Sequence, residues 1–552
     1  MNDSLSRLAT DYWEHQLEVG PTRALLLGDH RYDDRHESVS RAAEDARIST
    51  LRAFARDAEA IDEAGLTADE RITRDVLIQT ARAEADHVAA RLTEIAVNHA
   101  VGVQALLPVE IPQLPITEPE HADRLVGKYR AIARMFRELA GRIREGVASG
   151  RSPVDLHVDR TVAFIDGYLA SDVAADPYLR VRVPGAFDAE AEAAWKERLA
   201  EVIVEEIRPA YAAFRDVIHG EARPVARSID RPGLVTVPGG EAAYRAAIRR
   251  YVTLALEPEG IHRVGLEQVE RLAEEYRALG GSVLGTSDLA EIFDRLRNDP
   301  DLHFTDGPSV VAAAERALRR AKERMVEWFG RLPEADCRVS ETSTGPIAFY
   351  YPPAEDGSRP GTFFVNTSRP QDWGTFQIES MAYHEGIPGH HLQLAIAQEL
   401  DTVPAFRRHA SISAYAEGWG LYAERLADEM GLYAGDLDRF GMLWGDSMRA
   451  CRLVVDTGMH ALGWSRQQAV DYIVENSPMA VGQIEAEVDR YIGMPGQALS
   501  YMIGRLEIDR LRADAEAAMG ARFELAGFHD VVIGSGMVPL TTLGRMVSEW
   551  AA

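Results

Sequence analysis

The side chains best suited to chemistry lie between residues 379 and 424. The stretch Glu379-Ser-Met-Ala-Tyr-His384-Glu385-Gly-Ile-Pro-Gly-His390-His391-Leu-Gln393 packs three histidines and a glutamate into residues 384–391. A second acidic stretch follows as Ala416-Glu417-Gly418-Trp419-Gly420-Leu421-Tyr422-Ala423-Glu424. Two histidines and a later glutamate are the donor set of a catalytic zinc site, which keeps its fourth position open for water. A glutamate beside the first histidine is the general base of a metallohydrolase. The competing reading is a histidine cluster that only turns and caps the chain.

A regular helix would not bring these donors together. His-Glu-x-x-His places ligands at i and i+4 on one helical face, but four residues after His384 stands Pro388. His390 is at i+6, about 600° around a straight helix and so about 120° off the face of His384. His391, at i+7, returns to that face but stands about 10.5 Å along the axis. Pro388-Gly389 interrupts any such helix, because proline clashes with the preceding turn and glycine opens unusual backbone angles. A bulge or kink there would swing His390 back toward His384. Spacing alone leaves both His390 and His391 open as the second ligand.

Helices must carry these segments. Residues 40–97, 123–149, 187–219, 240–279 and 308–331 carry apolar side chains at three- and four-residue spacing, as Leu51, Phe54, Ala55 and Ala58 illustrate. Helix returns over residues 375–431, then over 434–457, 464–474, 482–491 and 497–519. Residues 334–367 differ: β-prone runs flank the turn-rich YYPPAEDGSRPG, whose Asp356-Gly357 pair signals a turn. A small sheet or hairpin is expected there. The fold class is mainly α, one large multi-helix body. The expected division is an N-terminal helical lobe, 1–225, and a catalytic lobe, 226–552.

Composition narrows the function. A net charge of −27 over 552 residues repels phosphate backbones and anionic lipid, so neither nucleic acid nor a membrane is an expected partner. Two cysteines, Cys337 and Cys451, exclude a disulfide framework and a four-cysteine zinc site. The first twenty residues show no basic stretch leading into an apolar one, and no run of about 18 apolar residues occurs, so a cytoplasmic location is expected.

The motif His384-Glu385-x-x-Pro388-Gly389-His390 with Gln393 resembles the hallmark of the bacterial family called domain of unknown function 885, which looks like a distant branch of the gluzincin-type metallopeptidases. Similar family signatures stand at Ala24-Leu25-Leu26-Leu27-Gly28-Asp29-His30-Arg31-Tyr32-Asp33-Asp34, Asp356–Gly361, Glu417–Gly420, Asp456–His460 and Pro495–Ala498. The resemblance therefore spans nearly the whole chain. In the family pattern the Pro-Gly-His histidine recurs, which selects His390 over His391. The related thimet-oligopeptidase and angiotensin-converting-enzyme groups use His-Glu-x-Gly-His with a glutamate on a later helix. This chain carries two extra residues in that interval.

By this analogy the fold is zincin-like, two lobes around a deep cleft that admits short peptides. His384, His390 and Glu417 would bind zinc, and Glu385 would activate water. The tetrahedral intermediate needs a further donor, for which Tyr501 and His460 are the candidates. Arg359 and Arg452 are candidates to hold a substrate carboxylate by paired hydrogen bonds. Glu379 and Glu424 could accept from the ligating histidines. Asp29, His30, Tyr32 and Asp33 would either fold against the cleft or form a capped turn. The expected function is zinc-dependent hydrolysis of peptide or related amide bonds in short substrates. The alternatives are hydrolase or lyase action on a non-peptide metabolite, and metal binding without catalysis.

Overall fold

Local signals in the sequence start several of the helices. Thr67 and Glu70 form a reciprocal capping box, as do Ser465 and Gln468, and the Asp306 side chain caps the helix that begins at Gly307. The computed structural model of the protein describes residues 2–354, 357 and 359–552. The elements that bear on function are α1 (Arg41–Glu59), α2 (Ala68–Ala89), α3 (Pro119–Ala148), α4 (Gly240–Val252), α5 (Pro258–Val283) and α6 (Gly307–Trp328). Strands β1 (Cys337–Thr342), β2 (Ala348–Tyr351) and β3 (Gly361–Asn366) follow. The chain continues through α7 (Ile378–Glu385), α8 (His390–Gln398), α9 (Ser413–Glu429), α10 (Arg439–His460), α11 (Val481–Gly493) and α12 (Ser500–Met519). The fold is mainly α with one small sheet.

Long expected helical stretches are divided, 375–431 among them. Residues 40–97 break between α1 and α2. Residues 240–279 break at Thr253, whose φ of 59° ends α4, and Pro258 opens α5 at a position where its missing N–H is no loss. The three strands form a mixed sheet in the order β1-β3-β2, with β1 parallel to β3 and β2 antiparallel to it. Phe363 and Val365 on central β3 are fully buried. Of the turn pair between β2 and β3, Gly357 has φ 71°; Asp356 lies outside the described residues, as does Ser358 of the neighbouring signature.

The buried apolar side chains gather into a larger and a smaller cluster. The smaller draws on Leu25 and residues 97–222 around α3. The larger joins residues from Ala9–Ala85 to Val154 and to residues from Leu234 to the C-terminal helix. The N-terminal helices α1 and α2 thus pack with the segments that follow residue 226. Among the described residues no helix is long and apolar enough to cross a membrane.

Three interior histidines make the fold sensitive to acid. Burial pushes His157 down to about 3, and His460 and His529 down to about 4. In the unfolded chain each would titrate near the ordinary imidazole value of about 6.5. At these three sites the folded state therefore binds fewer protons than the unfolded one below that value, and their contribution to stability falls as pH drops from about 6.5 toward 4. Melting temperatures at pH 7.5, 5.5 and 4.5 should decline in that order; a flat series would contradict this account.

Candidate metal centre

Helix α7 stops at Glu385 and α8 begins at His390, so the two histidines sit at facing ends of a broken helix. The connection is closed by the His391 N–H donating to Gly386 O at 3.0 Å and the Gln393 N–H to Gly389 O at 3.2 Å. A Cβ on Gly389 would lie 2.0 Å from His384 O and 2.3 Å from Tyr383 O, so only glycine lets the backbone fold back this tightly. The break removes the angular mismatch of a straight helix. The rings of His384 and His390 come to 4.8 Å between centroids, with planes at 85°.

Helix α9 supplies the third donor. Glu417 Oε2 lies 3.5 Å from His384 Nε2 and 3.4 Å from His390 Nε2. One donor atom from each of the three residues lies within 4.8 Å of the others. Metal–ligand bonds of about 2.0–2.1 Å in a tetrahedron set donor separations of about 3.3–3.4 Å, so the two measured edges fit a zinc-sized ion. Helix α9 can approach because Gly420 has no side chain: a Cβ there would meet the His384 ring at 2.7 Å.

Buried groups orient the first histidine. His384 Nδ1–H donates to Glu424 Oε1 at 2.8 Å, and the Ser380 hydroxyl donates to Glu424 Oε2 at 2.5 Å. The Arg449 guanidinium stands 3.8 Å from Glu424. This arrangement fixes the tautomer and turns the Nε2 lone pair toward Glu417. His390 Nδ1 is buried with no hydrogen-bond partner among the described residues. Burial would lower the His384 pKa, but Glu417 and Glu424 carry it up to about 9. Burial would likewise raise Glu417, yet the two histidines hold its carboxyl well below the usual range. The cluster thus calls for positive charge at its centre, which a proton or a divalent cation can supply.

The other expected residues divide. Glu385, at the end of α7, is 8% exposed and makes no hydrogen bond or ion pair with any described residue. Tyr501, at the start of α12, lies close enough to Glu417 that this carboxylate adds to burial in raising its pKa. Its ring lies 4.5 Å from the Arg452 guanidinium carbon. Arg452 donates from Nε to the Tyr491 hydroxyl at 2.8 Å and from Nη2 to Glu487 at 2.8 Å; its Nη1 is buried without a partner.

His460 does not join the group. It is 1% exposed at the end of α10, its Nδ1 accepts from Leu234 N–H at 3.2 Å, and its Nε2 faces Tyr491 O at 3.1 Å. Both nitrogens are taken by backbone. Arg359 is exposed just before β3, where its Nη1 donates to Pro360 O at 3.5 Å and its carbonyl accepts from Ala354 N–H at 2.9 Å, away from the three donors. Glu379 turns from the histidines to pair with Arg320 of α6 and to accept from Ala434 N–H at 2.9 Å. Trp419 is buried and donates to Pro388 O at 2.9 Å, which ties α9 to the helix break.

Sequence reasoning missed Ser380 and Arg449. Ser380 was accessible in principle, since it precedes His384 by one helical turn. Nothing local marks Arg449, which reaches Glu424 from a different helix.

Residues 21–547 match the family described as "Bacterial protein of unknown function (DUF885)". A crystal structure of a protein from Colwellia psychrerythraea, described as a "putative lipoprotein", is 25% identical over 100% of both chains, with a TM-score of 0.92. A structure from Shewanella oneidensis, a "putative lipoprotein of unknown function", is 18% identical over 98% of this chain and 99% of that one, with a TM-score of 0.76. The second likeness is one of fold. No curated protein matches the chain.

Proposed function

Since the chain belongs to the DUF885 family of bacterial proteins, whose description carries no activity, its function must be read from its own residues, and we propose a zinc-dependent hydrolase of peptide or related amide bonds in short substrates. One observation carries this reading. Glu417 stands at tetrahedral-edge distance from a nitrogen of each histidine, and Glu385, the residue after His384, is a nearly buried carboxylate that no described residue engages. A purely structural site closes its fourth position with protein and has no use for such a base.

His384, His390 and Glu417 would hold the ion. When bound, zinc would supply Lewis acidity toward a carbonyl oxygen and bring water within reach of deprotonation near neutral pH. Glu385 accepts the proton from the attacking water and returns it to the leaving nitrogen. Tyr501 stays protonated, because burial and Glu417 raise its pKa, and its hydroxyl donates to the developing oxyanion. Arg452 lies against the ring of Tyr501 and positions it. The resemblance of the His384–Gln393 motif to gluzincin-type metallopeptidases supports the same reading.

The test is hydrolysis by purified protein, stripped of metal and then reconstituted with zinc. Short peptides are set against acylated amino acids and other amides. Peptide cleavage that returns with zinc is expected. Turnover confined to non-peptide amides would overturn the peptidase part, and no zinc-dependent turnover at all would overturn the hydrolase.

The buried Glu424 supplies a separate prediction. Glu424→Gln keeps the shape but weakens the charge-assisted bond that orients His384, and zinc affinity should fall about 10–100-fold. Competition against a chromophoric chelator measures it. Unchanged affinity would remove Glu424 from the site.

A further inference from the structure

Another donor cluster lies far in sequence from the candidate centre. His30 and Asp33 stand in the turn at residues 29–34, and His121 stands in the first turn of α3. His30 Nδ1 is 2.8 Å from Asp33 Oδ2. The His121 ring stacks on that of His30 at 3.5 Å with the planes only 5° apart. One donor atom from each of the three residues falls within 4.8 Å of the others.

Two features go beyond a hydrogen-bonded turn. Asp33 is fully buried, and its second oxygen, Oδ1, has no hydrogen-bond partner among the described residues. A bare buried carboxylate oxygen is costly unless something positive meets it. His121 Nδ1 lies 3.3 Å from the Thr117 hydroxyl. A proton donated there leaves Nε2 with its lone pair, as a histidine ligand requires.

We propose that His30, Asp33 and His121 form a second divalent-metal site, which takes a transition ion such as Zn2+ and clamps the 29–34 turn onto α3. Imidazole and carboxylate together suit such ions. The cation replaces the proton shared by His30 and Asp33, and the stacked rings fan apart about their soft terminal torsions. His30 is 28% exposed and His121 is partly exposed, so the ion enters from solvent with Asp33 behind it. Arg124 of α3 already donates to His30 O at 2.7 Å, which holds the turn in place. Arg31 is paired with Asp29 and Glu14 and does not compete for Asp33. Buried Lys128 lies near Asp33 and also feels Glu37 and Glu110. Its charge weakens this site relative to the one at His384. The proposal does not depend on the hydrolase reading.

Zinc is titrated into metal-free full-length protein against a chromophoric chelator, with melting temperature as a second readout. Wild type should bind two equivalents. His390→Ala should keep one. His121→Gln and His30→Gln, both at partly exposed positions, should each weaken one equivalent by at least about tenfold while remaining folded. Zinc should raise the melting temperature of His390→Ala, and adding His121→Gln to that variant should abolish the shift. If His390→Ala binds no zinc, or if His121→Gln and His30→Gln leave stoichiometry and shift unchanged, the proposal is wrong. A single wild-type equivalent that vanishes in His121→Gln would support this site while overturning the one at His384.

Discussion

Glu385→Gln is expected to lower kcat on a cleaved peptide by about 10²–10⁴, with zinc content and melting temperature unchanged. The side chain is well placed for so clean a separation. Glu385 is 8% exposed and makes no hydrogen bond or ion pair with a described residue, so its replacement by an amide of the same shape breaks no contact in the fold. It is not one of the three donors, His384, His390 and Glu417, so the ion keeps its ligands. What the amide loses is the ability to take a proton from water. Steady-state kinetics at matched zinc content measures the effect. A variant as fast as wild type would show that Glu385 is not the base. A variant that lost its zinc would place Glu385 among the ligands.

The residue types at this site were legible, and their partnerships less so. His384, Glu385 and Glu417 stand out in the sequence because the same few residue types recur wherever metal-assisted hydrolysis occurs. No straight helix can unite His384 with His390, and Pro388-Gly389 marks where the helix has to fail. How it fails depends on tertiary contact. Gly389 lies against two backbone carbonyls, of His384 and Tyr383, and that packing has no signature in a window of neighbouring residues. The same limit separates Glu424 from Glu379. Glu379 is the acid nearer to His384 in sequence, but α9 presents the distant Glu424 to His384 while Arg320 of α6 draws Glu379 away. His460 was a reasonable donor by residue type, yet the end of α10 packs against Leu234 and Tyr491, whose backbones use both its nitrogens.

For the fold, three- and four-residue periodicity placed the helices, because it reports which face of each is buried. It gave no warning of the break at Thr253. Nor could it order the small sheet, in which β1 pairs with β3 across an interval containing β2. Strand pairing is set by contacts distant in sequence, and a β-prone run looks the same at an edge as in the centre.

His390→Ala should abolish zinc binding at the candidate centre, whereas His391→Ala should keep the zinc and lose stability instead. The two neighbours point in opposite directions from the start of α8. His390 turns Nε2 toward Glu417 and stands against the ring of His384. His391 turns toward the sheet: Nε2–H donates to Ala335 O at 3.0 Å, and Nδ1 accepts from the Tyr350 hydroxyl at 2.8 Å. Its ring fills the space beside Gly361, where a Cβ would come within 2.4 Å of Nδ1. Burial holds its pKa down to about 4, so it is a neutral bridge between α8 and the strands. Truncating it strands the Tyr350 hydroxyl and the Ala335 carbonyl, at a cost of about 1–3 kcal/mol for each partner left unsatisfied. Elemental analysis and thermal melts on both variants read the two effects separately. One zinc equivalent lost from a folded His391→Ala protein, with His390→Ala holding as much zinc as wild type, would move the second ligand to His391 and require the chain to take a different path after Pro388.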